Sequence, residues 1–103
     1  YVPDTALLEF EVVLRSRGRK QTDIKKAFTA LKFIFEEYSI KEVKTIDTSL
    51  ILKHLELSEN YGLSYFDSLI AASAISLDGI IVSDDEDFDF IEEVRRIPIT
   101  KTR

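Results

Sequence analysis

Aspartates stand at two points of this 103-residue sequence where a predicted element begins or ends. Asp67 falls in the first turn of a predicted helix that starts at Ser64, and Asp85 comes just after a predicted strand at 80–83. A helix followed by a neighbouring strand forms a U, so its start and the strand end lie on the same sheet edge, where open α/β sheets place their sites. Clustered carboxylates repel each other, and a hard divalent cation relieves that repulsion.

Asp67 also has a structural explanation. Ser64-x-x-Asp67 has the spacing of a capping box, in which the Asp67 carboxylate bonds back to the Ser64 amide. The two roles are compatible, because the helix dipole stabilises a carboxylate at the helix N-terminus while its second oxygen faces outward.

The predicted strand at 80–83 is almost wholly apolar, the pattern of a strand buried on both faces, and it runs directly into an acidic segment. Five carboxylates lie within six residues, at Asp84, Asp85, Glu86, Asp87 and Asp89. A solvated loop is the usual explanation of such a run, yet its members repel each other and begin where a buried strand ends. Together with Asp67, the segment predicts a carboxylate site.

Glu9 lies in the predicted first helix among apolar residues, where a carboxylate needs a partner or a role. The alternatives are a half-exposed glutamate paired with a lysine, or Asp4 or Glu11 of the same helix in its place. His54, the only histidine, is predicted to lie on the surface of the third helix. The sequence contains no Ser-His-Asp or Cys-His set and no phosphate-binding loop of the G-x-x-x-x-G-K-[ST] type.

The composition is that of an ordinary globular domain, with 45% hydrophobic residues, 32% charged residues and no cysteine. We expect one domain over residues 1–103, without disulfides or thiolate metal sites. No apolar run is long enough to cross a bilayer and no secretory-type N-terminus is present, so we expect a cytoplasmic protein with no membrane partner.

The net charge of −5 is uneven along the chain. Residues 1–46 contain 9 Lys and Arg against 7 Asp and Glu, while residues 47–103 contain 5 against 12. An acidic half repels phosphates unless cations intervene. The basic side chains form either a solvated loop or a rim that contacts phosphates. They cluster around the first turn, at Arg15, Arg17, Arg19, Lys20, Lys25 and Lys26.

Four predicted helices alternate with short strands, which favours a small parallel sheet flanked by helices. The first helix is capped at Asp4 or Thr5 and ends at Gly18, and the second runs from about Thr22 to Tyr38. The third is capped at Asp47 or Thr48 and ends at Asn60, and the fourth begins at Ser64 and ends before Gly79. The predicted strands cover 42–46, 80–83 and 96–100. The residues predicted to face inward from the third helix are Leu50, Ile51, Leu55 and Leu57. The aromatic residues of the second helix suit either an interface or core packing, and they are Phe28, Phe33 and Phe35.

Two or three strands are few for four helices, and a strand before Tyr1 would complete the sheet. The sequence begins with tyrosine and contains no methionine, so we infer that Tyr1 is a boundary or a cleavage point rather than a translation start.

Three segments of the chain resemble the PIN-domain family. They are Thr5-Ala-Leu-Leu-Glu9, Leu63 to Ala74 with Asp67 inside it, and Ile80 to Phe88 with its Ser83-x-Asp85 and Asp87-Phe88. Family members carry an acidic residue in an early helix, an aspartate at the head of a small-residue helix, and a Thr/Ser-x-Asp after a buried strand. These positions fall on Glu9, Asp67 and Asp85. The opening strand of PIN domains, whose aspartate is a metal ligand, has no counterpart here, since Asp4 is predicted as a helix cap.

The resemblance implies a three-layer α/β/α domain with a short parallel sheet, and a metal-dependent endoribonuclease such as a VapC-type toxin of a toxin–antitoxin pair. It implies Glu9, Asp67 and Asp85 as catalytic metal ligands, with Asp87 as a further ligand, beside an aspartate upstream of Tyr1. Acids without histidine or thiol suit Mg²⁺ or Mn²⁺ rather than Zn²⁺. The expected partners are an RNA substrate, an antitoxin protein and a second copy of the chain in a homodimer. The RNA backbone is expected to contact Arg15, Arg17, Arg19 and Lys20.

A degenerate PIN-like module that binds a partner protein or RNA without cutting it is the main alternative, because the first acidic residue is missing. A hydrophobic strand ending in aspartate about 20–40 residues before Tyr1 would favour the enzyme, and its absence would favour the module. A receiver-like phosphoacceptor domain is a further alternative, although the sequence lacks an acidic pair after a first strand.

Overall fold

The computed structural model describes residues 1–100, and the chain divides into two compact units, Tyr1–Lys44 and Thr45–Arg103. Both strand pairs in the described part are parallel, so the predicted α/β class with short parallel strands is confirmed. Among residues 1–100, none of the helices combines the length and the apolar character that a membrane span requires. The elements are β1 Val2–Pro3, α1 Asp4–Ser16, α2 Gln21–Glu37, β2 Glu42–Val43, α3 Thr48–Tyr61, α4 Tyr65–Ser76, β3 Ile80–Val82, a 3₁₀ turn Glu86–Phe90 and β4 Arg95–Ile97.

The first unit contains β1, α1, α2 and β2, with Val2 of β1 opposite Glu42 of β2. α1 begins one or two residues earlier than predicted, and Pro3 with its extended backbone is the N-cap. The prediction of Asp4 or Thr5 as the cap is therefore wrong. Asp4 is already helical, and its Oδ1 accepts a hydrogen bond from the Thr5 amide at 3.0 Å.

Aromatic side chains join the two helices of the first unit. The rings of Phe10 on α1 and Phe28 on α2 have centroids 5.5 Å apart and planes tilted by 58°. Ile24 of α2 is buried, whereas Phe33 of the same helix is 68% exposed. Core packing therefore explains Phe28, and it does not explain Phe33.

The first helix of the second unit is α3, which begins at the predicted Asp47 cap and ends one residue after the predicted Asn60. Asp47 is its N-cap, with Oδ1 accepting from the Leu50 amide at 2.8 Å. Gly62 follows the last turn with a φ of 64°, a left-handed conformation that glycine adopts without strain. These caps place the start of the next helix only a few residues further on.

The buried stripe of α3 differs from the predicted one. Leu50 and Leu57 are buried as expected, but Ile51 and Leu55 are exposed. The third buried position is His54 instead. Residues 50, 54 and 57 are separated by four and three positions, the spacing of a single helix face, and this face packs against α4.

α4 is buried along most of its length because small side chains allow other elements to approach closely. The small residues at its middle are buried, namely Ala71, Ala72, Ser73 and Ala74. Ser73 Oγ lies 2.9 Å from Thr45 Oγ1, at the start of the unit. The larger side chains of the same core are Leu50, Leu57, Leu69, Ile81, Phe88 and Ile91.

β3 runs parallel to β4, with Ile81 opposite Arg96. The prediction that β3 is buried on both faces is wrong, because Ile81 is buried while Ile80 and Val82 are exposed. Successive strand side chains point to opposite faces, and in this unit the core covers the face of Ile81. β4 ends before Pro98, in keeping with the preference of proline for sheet edges.

Gly79 forms the turn between α4 and β3. Its φ is +73°, and a Cβ there would lie 3.0 Å from the Glu93 carbonyl oxygen. We expect Gly79→Ala to lower the free energy of unfolding by about 2 kcal/mol, because left-handed strain adds to a contact with rigid backbone. Denaturant unfolding measures the loss, with Gly18→Ala as control, since Gly18 has a φ of +75° and no atom within 4 Å of an added Cβ. Equal losses in both variants would show that the Glu93 contact costs nothing.

Candidate functional site

Asp67 lies in the first turn of α4, after the N-cap Ser64. The Ser64 hydroxyl accepts a hydrogen bond from the Asp67 amide at 3.3 Å, so one half of the predicted capping box forms. The other half is wrong, since no donor within residues 1–100 contacts the Asp67 carboxylate. An aspartate is one methylene shorter than the glutamate of a capping box and does not reach back. Both oxygens therefore stay available at a helix N-terminus, where the dipole stabilises negative charge.

Asp85 caps the 3₁₀ turn that follows β3. Its Oδ1 accepts from the Asp87 amide at 3.0 Å, and its own amide donates to Ser83 Oγ at 3.1 Å. The Asp85 carboxylate is thus held through one oxygen, while the other has no donor in the described part of the chain. The Asp87 carboxylate is exposed on the turn and has no donor there either.

Two other members of the acidic run have structural roles. Asp84 accepts hydrogen bonds from the Ile99 amide at 2.8 Å, the Thr100 amide at 3.0 Å and the Thr100 hydroxyl at 2.6 Å. Asp89 forms a two-pronged ion pair with Arg96, with N–O distances of 2.8 and 3.0 Å. The Arg96 guanidinium holds the pKa of Asp89 below its usual value. The run is therefore not one uniform acidic patch.

Arg96 connects the acidic run to the strands, a role that the sequence did not predict. Its Nη1 donates to the Ser83 carbonyl at 3.1 Å while its other nitrogens hold Asp89. The hydrogen-bonded Asp89 carboxylate raises the pKa of Arg96. The available signal was that Arg96 lies in a strand predicted beside an acidic loop. This signal predicts the ion pair only when the pairing of Ile81 with Arg96 is known.

The Asp84 contacts give a pH dependence of definite sign. Hydrogen bonds from the Thr100 hydroxyl and backbone hold the pKa of Asp84 below its ordinary value. A carboxylate with a lowered folded-state pKa adds stability above its unfolded-state pKa and loses it as pH falls through the folded-state value. We expect the Ile99 and Thr100 amides to lose protection from hydrogen exchange below about pH 4. Asp84→Asn should abolish this acid response, and an unchanged response would refute the assignment.

Glu9 lies on α1 in the first unit, where it is half-buried and has an interaction partner. Both rivals on the same helix have local contacts that explain them without a site. Glu11 pairs with Arg15 at 2.9 Å, and Asp4 accepts the Thr5 amide. The role of Glu9 as the site residue of this helix stays a prediction.

The predicted RNA-contacting residues lie at the end of α1 and in the turn before α2. Arg15 is engaged within the unit, because its guanidinium donates to Glu11 at 3.0 Å and to Gln21 at 3.2 Å. In contrast, three of them are exposed and form no ion pair among the described residues. They are Arg17, Arg19 and Lys20. Their contact with RNA stays a prediction.

His54 corrects the prediction of a surface histidine. It is buried, with Nδ1 2.7 Å from the Ser68 hydroxyl and its ring edge-on to Tyr65. The polar neighbours of His54 in sequence suggested an exposed position. The spacing from Leu50 and Leu57, four residues before and three residues after, was the signal that places it on the buried stripe.

A divalent cation suits the donors at these positions, because Mg²⁺ and Mn²⁺ prefer carboxylate oxygens. Asp67, Asp85 and Asp87 each offer at least one such oxygen without a hydrogen-bond donor. Within residues 1–100, no three Asp, Glu, His or Cys side chains lie close enough together to hold one ion. The donor chemistry therefore fits, and the ligand set that also includes Glu9 stays a prediction.

Comparison with known proteins places the chain in a family. The sequence model of the PIN domain matches residues 1–94, and the chain belongs to the PIN-domain family. Members of this family are generally nucleases and typically use divalent metal ions. No match was found among curated proteins or among solved structures.

Proposed function

We propose that this chain is a PIN-type endoribonuclease that cleaves RNA phosphodiesters with a carboxylate-bound divalent cation. One observation supports it above the rest. Asp67 and Asp85 keep oxygens without hydrogen-bond donors, while Asp84 and Asp89 of the same acidic run are engaged in structural contacts. The family motifs fall on the two aspartates that have oxygens to offer.

Asp67 and Asp85 would hold Mg²⁺ or Mn²⁺, with Asp87 as a further ligand. Such an ion supplies a water of lowered pKa and neutralises the charge that develops on the phosphate. The chain contributes by fixing carboxylate oxygens, since the Asp87 amide orients Asp85 and the Ser64 cap starts the turn that carries Asp67. A bound cation also lets an acidic surface accept a phosphate, which answers the objection from net charge.

RNA would contact the basic turn between α1 and α2. Its three exposed cations are suited to the phosphate backbone, and they are Arg17, Arg19 and Lys20. Arg15 would add to this surface only by exchanging its bonds to Glu11 and Gln21. Because such contacts release counterions, binding should weaken as the salt concentration rises.

The proposal extends to the toxin of a toxin–antitoxin pair, with an antitoxin protein and a second copy of the chain as partners. Exposed apolar residues on α2 support a protein interface, since Phe33 and Ile34 both lie at the surface. The gene beside this one would decide whether an antitoxin exists.

The test is a cleavage assay with the full-length protein and single-stranded RNA. We expect cleavage in Mg²⁺ or Mn²⁺ and none in EDTA, with activity restored when the metal is returned in excess. Cleavage that persists in EDTA would refute the metal dependence. Absence of cleavage with both Mg²⁺ and Mn²⁺ would refute the proposal that the chain is an enzyme.

A non-catalytic binding module is the second candidate. The observation in its favour is that no three metal-binding side chains meet among residues 1–100. The same assay separates the two functions when RNA binding is measured in parallel, because RNA bound but uncut in both metals would identify the module.

A further inference from the structure

His54 is the only histidine of the chain, and α3 places it in the interior of the second unit with 5% exposure. Its Nδ1 lies 2.7 Å from the hydroxyl of Ser68, a fully buried residue of α4. The Tyr65 ring and the imidazole are nearly perpendicular, with centroids 5.1 Å apart. Asp67 stands between these two contact residues in sequence. The first turn of α4 is therefore attached to α3 on both sides of Asp67.

The surroundings of Ser68 determine which group donates in this hydrogen bond. Besides Nδ1, the Ser68 oxygen lies 2.9 Å from the Ser64 carbonyl oxygen and 3.0 Å from the Tyr65 carbonyl oxygen. Carbonyl oxygens only accept, so the single hydroxyl proton must be directed at them. A proton directed at Nδ1 would leave the Ser68 oxygen facing two carbonyl oxygens at 2.9 and 3.0 Å with no hydroxyl proton on either contact. Nδ1 therefore carries a proton and donates to Ser68.

We propose that His54 is a positioning residue for Asp67, because its Nδ1–H bond to Ser68 holds the first turn of α4 in place. Within that turn the Ser68 amide donates to the Ser64 carbonyl at 3.0 Å, while the side-chain cap on its exposed side is weak. The Ser64 cap bond is long, at 3.3 Å, and is exposed, and helix ends fray. His54 ties the turn from the inside of the fold, where water does not compete for the bond.

The role in metal binding rests on the proposed function. A metal ligand must be held close to its productive position, and loss of a group that supports a ligand typically lowers metal affinity or activity about 10–100-fold. His54 does not touch the Asp67 carboxylate, so its effect passes through the position of the helical turn.

The protonated nitrogen can be observed directly in the ¹⁵N-labelled chain, because a single histidine gives one imidazole spin system. We expect the neutral ring to be the Nδ1–H tautomer. An Nε2–H tautomer would overturn the proposal, and this result does not depend on metal binding or on activity.

Two substitutions at position 54 separate positioning from packing. His54→Leu fills the space without a donor, whereas His54→Asn carries an N–H the same number of bonds from the backbone as Nδ1. We expect His54→Leu to speed hydrogen exchange of the Asp67 and Ser68 amides and to weaken Mn²⁺ binding about 10–100-fold. His54→Asn should restore much of both. Equal losses in the two variants would reduce His54 to a packing residue and overturn the proposal.

Ser68→Ala provides the same test if His54→Leu does not fold, because it removes the acceptor and leaves the imidazole. Wild-type exchange at Asp67 in that variant would overturn the proposal. If the wild-type chain binds no Mn²⁺ and cleaves no RNA, the proposed function fails, while the tautomer and exchange data still decide whether His54 holds the turn. If the wild type binds and cleaves but the variants bind Mn²⁺ equally well, the positioning role alone fails.

Discussion

Replacement of Asp67 or Asp85 by asparagine is expected to lower kcat/KM for metal-dependent RNA cleavage by about 100-fold or more. Asparagine keeps the size of the side chain and one oxygen, but it removes the charge that attracts a divalent cation. Cleavage rates at saturating Mg²⁺ or Mn²⁺ measure the loss. Full activity in either variant would remove that aspartate from the site.

The same substitutions should leave the fold largely intact, which separates a chemical effect from a structural one. Asparagine is as good a cap as aspartate, so the turn at Asp85 keeps its hydrogen bond. At Asp67, only the interaction with the helix dipole is lost, which is worth about 0.3–1 kcal/mol. Asp23→Asn is the matched control, since Asp23 is an exposed aspartate in the first turn of α2. This variant should cleave RNA at the wild-type rate.

Truncation of Leu57 to alanine is expected to lower the free energy of unfolding by about 2–5 kcal/mol. Leu57 is 1% exposed and belongs to the core that supports α4, so the change leaves a cavity between packed side chains. A domain of this size has only about 5–15 kcal/mol in total, so the unfolding midpoint should fall well below that of the wild type. Thermal or denaturant unfolding gives the value.

Leu55→Ala is the control for this prediction. Leu55 lies on the same helix, loses the same atoms and is 54% exposed, so its loss should stay within about 0.5 kcal/mol. The difference between the two variants then measures burial, because the change in helix propensity is the same. Similar losses for both would contradict the orientation of α3, which turns Leu57 inward and Leu55 outward.

Local signals account for the parts of this fold that could be predicted. Asp47 and Gly62 mark the ends of α3, and Ser64 marks the start of α4, because caps depend only on residues within a few positions. Asp67 and Asp85 likewise lie at the ends of a predicted helix and a predicted strand, because those ends depend on residues close in sequence. The positions of these aspartates at the ends of secondary-structure elements could therefore be predicted without any knowledge of packing.

Contacts between distant residues account for what the sequence did not predict. The division of the acidic run depends on Asp84 meeting Thr100 and on Asp89 meeting Arg96, and both pairs require β4 to lie beside β3. The burial of His54 depends on the rotation of α3 against α4. The spacing of apolar residues limits which faces of α3 can be buried, but it does not identify the buried face, because Leu55 is as apolar as Leu57.

The hydrogen bond from the Asp87 amide to Asp85 Oδ1 limits what Asp85 can offer to an ion. The amide uses one acceptor site of Oδ1, so the second oxygen is the one that the turn leaves fully open to an ion. Ca²⁺, with six to eight ligands, often takes both oxygens of a carboxylate, whereas Mg²⁺ needs one oxygen from each of few carboxylates and keeps its waters. If Asp85 holds an ion as proposed, the five-residue turn would present one open oxygen, an arrangement that suits Mg²⁺ better than Ca²⁺.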